Sequence, residues 1–174
     1  MDPRIVSRTE DVDVRSLSRL MRSVADHCAA RMVDGAMPRA ALDPVWLPPD
    51  ALPWIMLFEV LDGMEFRVRL QGTALRDAYG LHLKGTLLRD IETWEPVEES
   101  YARFAAAVTE RRMMASVTDA VLKRAAVSYE RLLVPLSRDD GGIGFLLVCL
   151  QLRDFPRYAT VLDLVAAGGV AAGR

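Results

Sequence analysis

Few side chains in this chain have the type and spacing that catalysis or metal binding requires. Of the two histidines, His82 lies in a glycine-flanked loop. It could ligate a haem iron, but a lone histidine without supporting context fits an exposed or hydrogen-bonded residue better. His27 and Cys28 are neighbours in a helical stretch, and Cys149 lies in an apolar run. Both cysteines are therefore predicted to be small buried hydrophobic residues, because their spacing suits neither a disulfide framework nor a metal site.

The sequence motifs of the common catalytic classes are also missing. There is no glycine-rich phosphate loop, no HExxH, no nucleophile elbow and no Cys-x-x-Cys. The acidic pairs Glu98-Glu99 and Asp139-Asp140 fall at a predicted helix start and a hairpin tip, positions that explain them without catalysis. The sequence therefore predicts a protein that is not an enzyme.

Composition predicts one globular domain. The chain has 174 residues, of which 51% are hydrophobic and 26% charged, so it can bury a sizeable core. A formal net charge of -2 gives no general attraction to nucleic acid or an anionic membrane. No apolar run reaches the roughly 18 residues that span a bilayer, and the polar, acidic N-terminus argues against a secretory signal. We therefore expect a cytoplasmic protein that binds neither nucleic acid nor membrane.

The central element is a β-hairpin within residues 54–70. Its second strand alternates, with Phe66, Val68 and Leu70 on one face and charged residues on the other. If Met56, Phe58 and Val60 face the same core, Val60 must lie opposite Phe66. That register requires a three-residue loop, Asp62-Gly63-Met64. A two-residue turn would instead pair Val60, whose side chain faces the core, with Glu65, whose side chain faces outward.

The N-terminal part is predicted to hold one helix. Residues 1–10 show no periodicity and are predicted to be loose, whereas residues 13–32 carry an apolar stripe at helical spacing: Val14, Leu17, Met21, Val24 and Cys28. Either the stripe packs on its own domain, or it forms a short dimer seam, since two heptads are too few for a coiled coil. We expect a homodimer through this helix.

The remaining segments predict an α+β fold. Five prolines between residues 36 and 53 favour an extended connector, pinned to the core by Trp46. A short helix ends at Gly80, and a longer one runs from Pro96 to Arg111-Arg112. Three strand-like runs then follow, at residues 115–123, 127–137 and 143–152.

A family resemblance is carried by motifs in a fixed order. They are Met37-Pro38-Arg39, Asp43-Pro44, Leu52-Pro53, Phe66-Arg67-x-Arg69-Leu70-x-Gly72-Thr73, Tyr79-Gly80, Gly85 and Tyr129-Glu130-Arg131-Leu132-Leu133-Val134-Pro135-Leu136. Over residues 30–150 the chain resembles a small PAS-type family of regulatory proteins found mainly in alphaproteobacteria. The resemblance implies a sensory or regulatory module and brings no agreed ligand, so the cofactor is left undetermined.

The PAS fold implied by this resemblance has a five-stranded antiparallel sheet of order 2-1-5-4-3, with helices on one face, here preceded by the N-terminal helix. Strand polarity agrees, because the first and fifth runs are apolar on both faces. Polar residues on the second and third runs suit exposed edges: Arg67, Arg69, Ser116, Thr118 and Asp119. The chain then divides into the N-terminal helix and connector (1–51), the PAS-like core (52–154) and a tail (155–174).

The candidate ligand site is the space between the inner sheet face and residues 75–108. Eight residues could line it: Met56, Phe58, Phe66, Val68, Tyr79, Trp94, Tyr101 and Phe104. The tyrosine hydroxyls would orient a ligand. Aromatic residues at helical spacing are also typical of a packed core, which is the alternative.

These features favour a stand-alone PAS-like sensory or regulatory domain that binds a small ligand, a signalling protein partner, or both. One alternative is a constitutive interaction or dimerisation module with a filled core. Another is a small cone-fold enzyme, which would need a buried carboxylate or histidine in the cavity, and none lies at the assigned inward positions. A flavin photosensor of the PAS class would need a reactive cysteine in an Asn-Cys-Arg-Phe-Leu-Gln-like helix, which the sequence lacks.

Overall fold

The computed structural model describes residues 5–91, 95–122 and 125–154. Trp94 and the predicted tail at residues 155–174 lie outside the described residues. Three helices are described, α1 (Arg19–Ala29), α2 (Thr73–Tyr79) and α3 (Val97–Thr109). The seven strands are β1 (Ile5–Asp11), β2 (Met37–Pro38), β3 (Ile55–Leu61), β4 (Glu65–Gln71), β5 (Met114–Leu122), β6 (Ala125–Ser137) and β7 (Ile143–Asp154).

The strands form one sheet of order β1-β5-β6-β7-β3-β4, with the two-residue β2 parallel to β6. The other pairings are antiparallel. The prediction of five strands is therefore wrong, and the complete order differs from the predicted one. The five predicted strands correspond to β3, β4, β5, β6 and β7, and these do neighbour one another in the predicted order 2-1-5-4-3. The order is wrong at one edge of the sheet, where β1 is added beside β5.

Strand β1 is responsible for that error. Residues 5–10, which were predicted to be loose, belong to β1, and this strand pairs with β5 from Ile5 opposite Leu122 to Asp11 opposite Ser116. The third predicted strand, β5, is therefore not an edge. Its polar residues Ser116 and Thr118 are buried, and only Asp119 of the three is exposed, so their polarity does not mark a solvent-exposed edge.

The β3–β4 hairpin has the predicted register. Val60 lies opposite Phe66 and Glu59 opposite Arg67, and Asp62–Met64 forms the loop. The Arg67 guanidinium lies 2.8 Å from the Glu59 carboxylate across the strands. Gly63 has a φ of 72°, a left-handed conformation that glycine adopts without a steric penalty.

Leu70 departs from the predicted face. A β-bulge between Leu57 and Phe58 shifts the register, so that Leu57 pairs with Leu70 while Phe58 pairs with Val68. The extra residue on β4 reverses the direction of the following side chains. Leu70 is consequently 46% exposed and faces away from Phe66 and Val68.

Two hydrophobic clusters lie on the two sides of the sheet. The inner cluster joins one sheet face to α2 and α3 and includes Phe58, Phe66, Leu75, Phe104 and Leu146. The outer cluster joins the other face to α1 and the connector and includes Met21, Val24, Leu57, Val134 and Cys149. Helices therefore pack on both faces, not on one.

Helix α1 is shorter than predicted. Asp13 caps only a 3-10 turn, and Ser18 is the N-cap of α1, with its hydroxyl accepting from the Met21 N–H. The Ser18 N–H donates to the buried Glu130 carboxylate at 3.0 Å, which anchors the start of the helix to β6.

The apolar stripe of α1 packs on its own sheet. Leu17, Met21, Val24 and Cys28 are at most 3% exposed within the outer cluster. Because the sheet covers this stripe, it is not free to form a dimer seam. The homodimer stays a prediction, and the stripe no longer supports it.

The proline-rich connector forms short 3-10 turns, among them Pro44–Trp46 and Pro49–Trp54. Trp46 does not pin it to the core, since this side chain is 63% exposed. Leu47 and Ala51 attach the connector to the core instead, because both are buried in the outer cluster. Among the described residues, none of the helices combines the length and the apolar character needed to cross a bilayer.

Candidate functional site

The structure brings most of the predicted ligand-binding residues together in the inner cluster. Met56, Phe58, Phe66, Val68, Tyr79 and Phe104 are buried there, and Tyr101 packs against it. Strands β3 and β4 supply the first four, α2 supplies Tyr79, and α3 supplies the rest. Trp94 is the one candidate that falls outside the described residues.

The aromatic rings among these residues pack directly on one another. Phe104 lies 5.0 Å from Phe58 and 5.4 Å from Phe66, measured between ring centroids, and Phe66 lies 5.5 Å from Tyr101. All three pairs are close to perpendicular, the edge-to-face arrangement that aromatic rings prefer in cores. The rings therefore fill the space between β4 and α3.

The Tyr101 hydroxyl, predicted to orient a ligand, is engaged elsewhere. It donates to the Met64 carbonyl at 2.5 Å and so ties α3 to the β3–β4 loop. Burial raises the pKa of Tyr79 and of Tyr129, so both phenols stay protonated at neutral pH.

The space that remains is small. A cavity of about 30 Å³ lies between the inner sheet face and α3, bordered by Met56, Phe58, Tyr79, Phe104 and Arg131 among others. A site of this volume accommodates one or two water molecules. Pockets for organic ligands measure roughly 300–1,000 Å³. In this conformation the inner compartment does not admit a flavin or a haem.

A buried ion pair borders the cavity. Arg131 on β6 and Glu95, just before α3, are 3% and 0% exposed at their side chains, and Arg131 Nη1 lies 2.5 Å from Glu95 Oε1. Ser100 on the first turn of α3 donates to the same carboxylate oxygen. Arg131 also donates to the hydroxyls of Ser100 and Ser116, at 3.2 and 3.3 Å.

Strand β1 completes this network. The Thr9 hydroxyl donates to Glu95 Oε2 at 2.9 Å and lies 2.9 Å from the Thr118 hydroxyl. Thr9, Thr118 and Tyr129 are register partners on β1, β5 and β6. Polar residues can be buried on β5 because Thr118 lies within hydrogen-bond distance of Thr9, and Ser116 accepts a hydrogen bond from Arg131.

The network keeps Glu95 ionised. Burial by itself raises the pKa of this carboxyl, but the Arg131 charge and the hydrogen bonds from Ser100, Arg131 and Thr9 outweigh burial and hold the pKa below its ordinary value. A carboxylate with a depressed pKa is a weak general base near neutral pH. Glu95 is therefore suited to structure more than to proton transfer.

Arg131 retains one unsatisfied nitrogen. Its Nη2 atom is buried and has no hydrogen-bond partner within the described part of the chain. Because Arg131 borders the small cavity, a water molecule there is the simplest partner for Nη2.

Sequence reasoning missed both members of this pair. A signal existed for Arg131, because strand alternation places it on the same face as the inward Tyr129 and Leu133. A charged residue at an inward position of a central strand implies a buried counter-charge. No periodicity marks Glu95, which precedes a helix in an irregular segment.

The remaining candidates lie away from the inner compartment. His82 is exposed. Cys28 and Cys149 are buried as predicted, but in the outer cluster on the opposite side of the sheet. Burial raises the pKa of the Cys28 thiol to about 11 and that of Cys149 to about 12, so both are unreactive thiols at neutral pH.

Comparisons with known proteins leave the family open. No family model matches this chain, and no curated protein matches it. Among solved structures, the chain is similar to one described as an RNA-binding light-oxygen-voltage receptor, with 18% identity and a TM-score of 0.46. The alignment covers 94% of this chain and 40% of that receptor chain. At this level the likeness assigns neither family nor function, and the resemblance to the PAS-type family stays a prediction.

Proposed function

We propose that this protein is a PAS-like regulatory domain that works by binding another protein, with an inner compartment closed to organic ligands. The observation that carries the proposal is the inner cavity of about 30 Å³. The order of the five predicted strands supports the PAS-like part, because it is the order that the family resemblance implies.

The closed compartment favours the interaction module with a filled core over the ligand sensor. Residues predicted to contact a ligand contact one another instead, as the perpendicular Phe58, Phe66 and Phe104 rings do. A ligand of even ten heavy atoms would have to displace them. Signal input and output would then both pass through the protein surface.

An exposed part of the connector supports a protein partner. Val45 and Trp46 are adjacent and are 85% and 63% exposed. Tryptophan is strongly enriched among the residues that dominate protein interfaces, and a largely exposed tryptophan costs solvation free energy unless a partner covers it. We place the partner contact here.

The proposal includes no catalytic turnover. The buried carboxylate that the enzyme alternative requires is present as Glu95, but it is paired with Arg131 and its pKa is lowered. A general base needs a pKa near the working pH. The geometry therefore supports the binding module better than the enzyme.

Cavity-forming variants test the closed compartment. We expect NMR titration of the wild type with indole to leave the methyl signals of Val68 and Leu88, which belong to the inner cluster, unchanged. Leu88→Ala should create space and allow indole to bind, as apolar cavities of about 150 Å³ bind benzene. Phe104→Ala is a second such variant if Leu88→Ala leaves too small a space.

A cavity-filling variant supplies the opposite test. Val68→Phe should destabilise the protein by about 1 to 3 kcal/mol, because the interior is already packed. An organic molecule that copurifies with the wild type and is lost in a stable Val68→Phe variant would overturn the closed compartment.

Partner binding is tested by crosslinking in extracts of the source cells, with Trp46→Ser compared against Val121→Ser. Val121 is 48% exposed on β5 and serves as the matched control. A specific protein that is captured by the wild type and by Val121→Ser, but not by Trp46→Ser, is the expected result. Equal capture by both variants would place the interface elsewhere.

A further inference from the structure

An apolar groove lies on the outer side of the sheet, opposite the inner compartment. It has a volume of about 210 Å³ and is bordered by the connector and by β3, β4 and β7. Its lining is aliphatic apart from one arginine: Arg39, Leu42, Pro44, Leu47, Leu52, Ile55, Leu57, Leu70 and Leu147.

The side chains at the floor of the groove are buried, and those at its rim are partly exposed. Leu47, Ile55, Leu57 and Leu147 are at most 7% exposed and belong to the outer cluster or its sheet face. Leu52 and Leu70 are 38% and 46% exposed and form the rim. The β-bulge that turns Leu70 to this side thus also builds one wall.

Arg39 supplies the single charge. Its guanidinium lies 5.5 Å from the centroid of the Phe145 ring, and it forms no ion pair with any residue in the described ranges. Stacking on an aromatic ring holds the guanidinium in place while leaving its N–H donors available. An arginine of this kind suits a carboxylate, which it can bind through two parallel hydrogen bonds.

We propose that this groove binds a medium-chain aliphatic carboxylate, with the carboxylate at Arg39 and the chain along the leucine floor. The positive charge of Arg39 and the otherwise aliphatic lining define the ligand class. An apolar cavity of about 150 Å³ holds the six carbons of benzene, so 210 Å³ accommodates a chain of about eight carbons. The site goes beyond the proposed function, since it shares no residue with the inner compartment or with Val45 and Trp46.

Octanoate is the probe, and binding is measured by titration calorimetry and by NMR shifts of the Leu147 methyl groups. We expect affinity to rise about fourfold per added methylene from butanoate to octanoate and to level off beyond. Octylamine, which reverses the charge, should bind at least tenfold more weakly than octanoate. Equal binding of the acid and the amine, or no dependence on chain length, would overturn the proposal.

Two variants locate the site. Arg39→Gln should weaken octanoate binding by about tenfold or more, because a charge-assisted hydrogen bond is lost, and should leave the binding of neutral octanol unchanged. Leu70→Trp should block the groove for both probes, whereas Val121→Trp on a distant, equally exposed position should not.

Circular dichroism and urea melts check that each variant folds, and Leu52→Trp replaces Leu70→Trp if that variant does not. Octanoate binding that survives both rim variants would overturn the assignment to this groove. So would a groove that takes up only a peptide helix and no octanoate. Neither outcome affects the inner-compartment tests, so the two proposals fail separately.

Discussion

The Glu95–Arg131 pair lies in the interior, where charges are costly to bury. Removing two ions from water costs several kcal/mol each, and their attraction repays that cost only when the remaining donors and acceptors are satisfied. Here the hydroxyls of Thr9, Ser100 and Ser116 satisfy most of them. These hydroxyls come from β1, α3 and β5, so the pair fixes how three elements meet.

Removing Arg131 alone should be strongly destabilising. Arg131→Met leaves the Glu95 carboxylate buried without its counter-charge, which costs about 3 to 5 kcal/mol. The double variant Arg131→Met with Glu95→Gln should lose less than the sum of the two single losses, because no buried charge is left unpaired. Urea denaturation of all four proteins measures this coupling. Strictly additive losses would mean that the two side chains do not interact.

Acid should weaken the protein partly through Glu95. Its folded pKa lies below the ordinary value of 4.5, so its contribution is fully present above that value and is lost as pH falls through the folded pKa. The free energy of unfolding of the wild type should fall more steeply below about pH 4.5 than that of Glu95→Gln. Denaturant melts from pH 6 downward test this, and parallel curves would contradict it.

These residues also show what sequence reasoning reaches at this scale. The burial of Phe58, Phe66 and Val68 follows from alternation along single strands, which is local. The ion pair joins residues 36 positions apart, and nothing local in the sequence identifies Glu95 as the partner of Arg131. Whether the inner compartment was open or filled depended on side-chain packing, which no spacing rule determines.

At the scale of elements, the β3–β4 hairpin was predictable and β1 was not. The hairpin register follows from two alternating strands and the parity of the loop between them. Strand β1 pairs with β5 more than a hundred residues later in sequence, from Ile5 to Leu122. Its own sequence, IVSRTED, is polar or charged at every position from Ser7 to Asp11, so no apolar alternation marks it as a strand.

The hairpin assignment predicts unequal effects at neighbouring positions. Phe66→Ala should destabilise the protein by about 3 to 5 kcal/mol, because Phe66 is completely buried and contacts two other rings. Arg67→Ala should cost within about 1 kcal/mol, since its ion pair with Glu59 is partly exposed. Urea melts compare the two, and similar losses would contradict the assignment of faces.

Strand β1 should protect β5 from solvent exchange. Deleting residues 1–11 exposes the β5 edge and removes the Thr9 hydrogen bonds to Glu95 and Thr118. Hydrogen–deuterium exchange should then speed up in peptides covering residues 116–121, with peptides from β4 as the internal control. Unchanged exchange in β5 would show that β1 does not pair there in solution.

At the scale of the whole molecule, the two faces of the sheet are packed differently. The inner side is packed around aromatic rings and a buried ion pair, whereas the outer side combines a well-packed helix with an incompletely filled aliphatic groove. The predicted PAS-like organisation placed the ligand on the inner side. Because the inner cavity measures only about 30 Å³, the candidate binding surfaces are instead the exposed connector and the outer groove.

The charge distribution of the whole molecule predicts that it does not bind nucleic acid. The net charge is -2, and Arg67 and Arg89 are paired with carboxylates, at 2.8 and 2.6 Å. The exposed Arg15, Arg19 and Arg22 form no ion pair with a described residue, but Asp13 and Asp26 lie among them in sequence and interrupt the positive charge. Binding to phosphates requires a track of unpaired cations that release counterions. Fluorescence anisotropy with labelled 20-nucleotide RNA and DNA, single- and double-stranded, should therefore show no saturable binding at about 150 mM salt below roughly 10⁻⁴ M protein. A dissociation constant near 1 μM that weakens steeply with added salt would contradict this, because it would reveal a phosphate-binding surface that the net charge does not suggest.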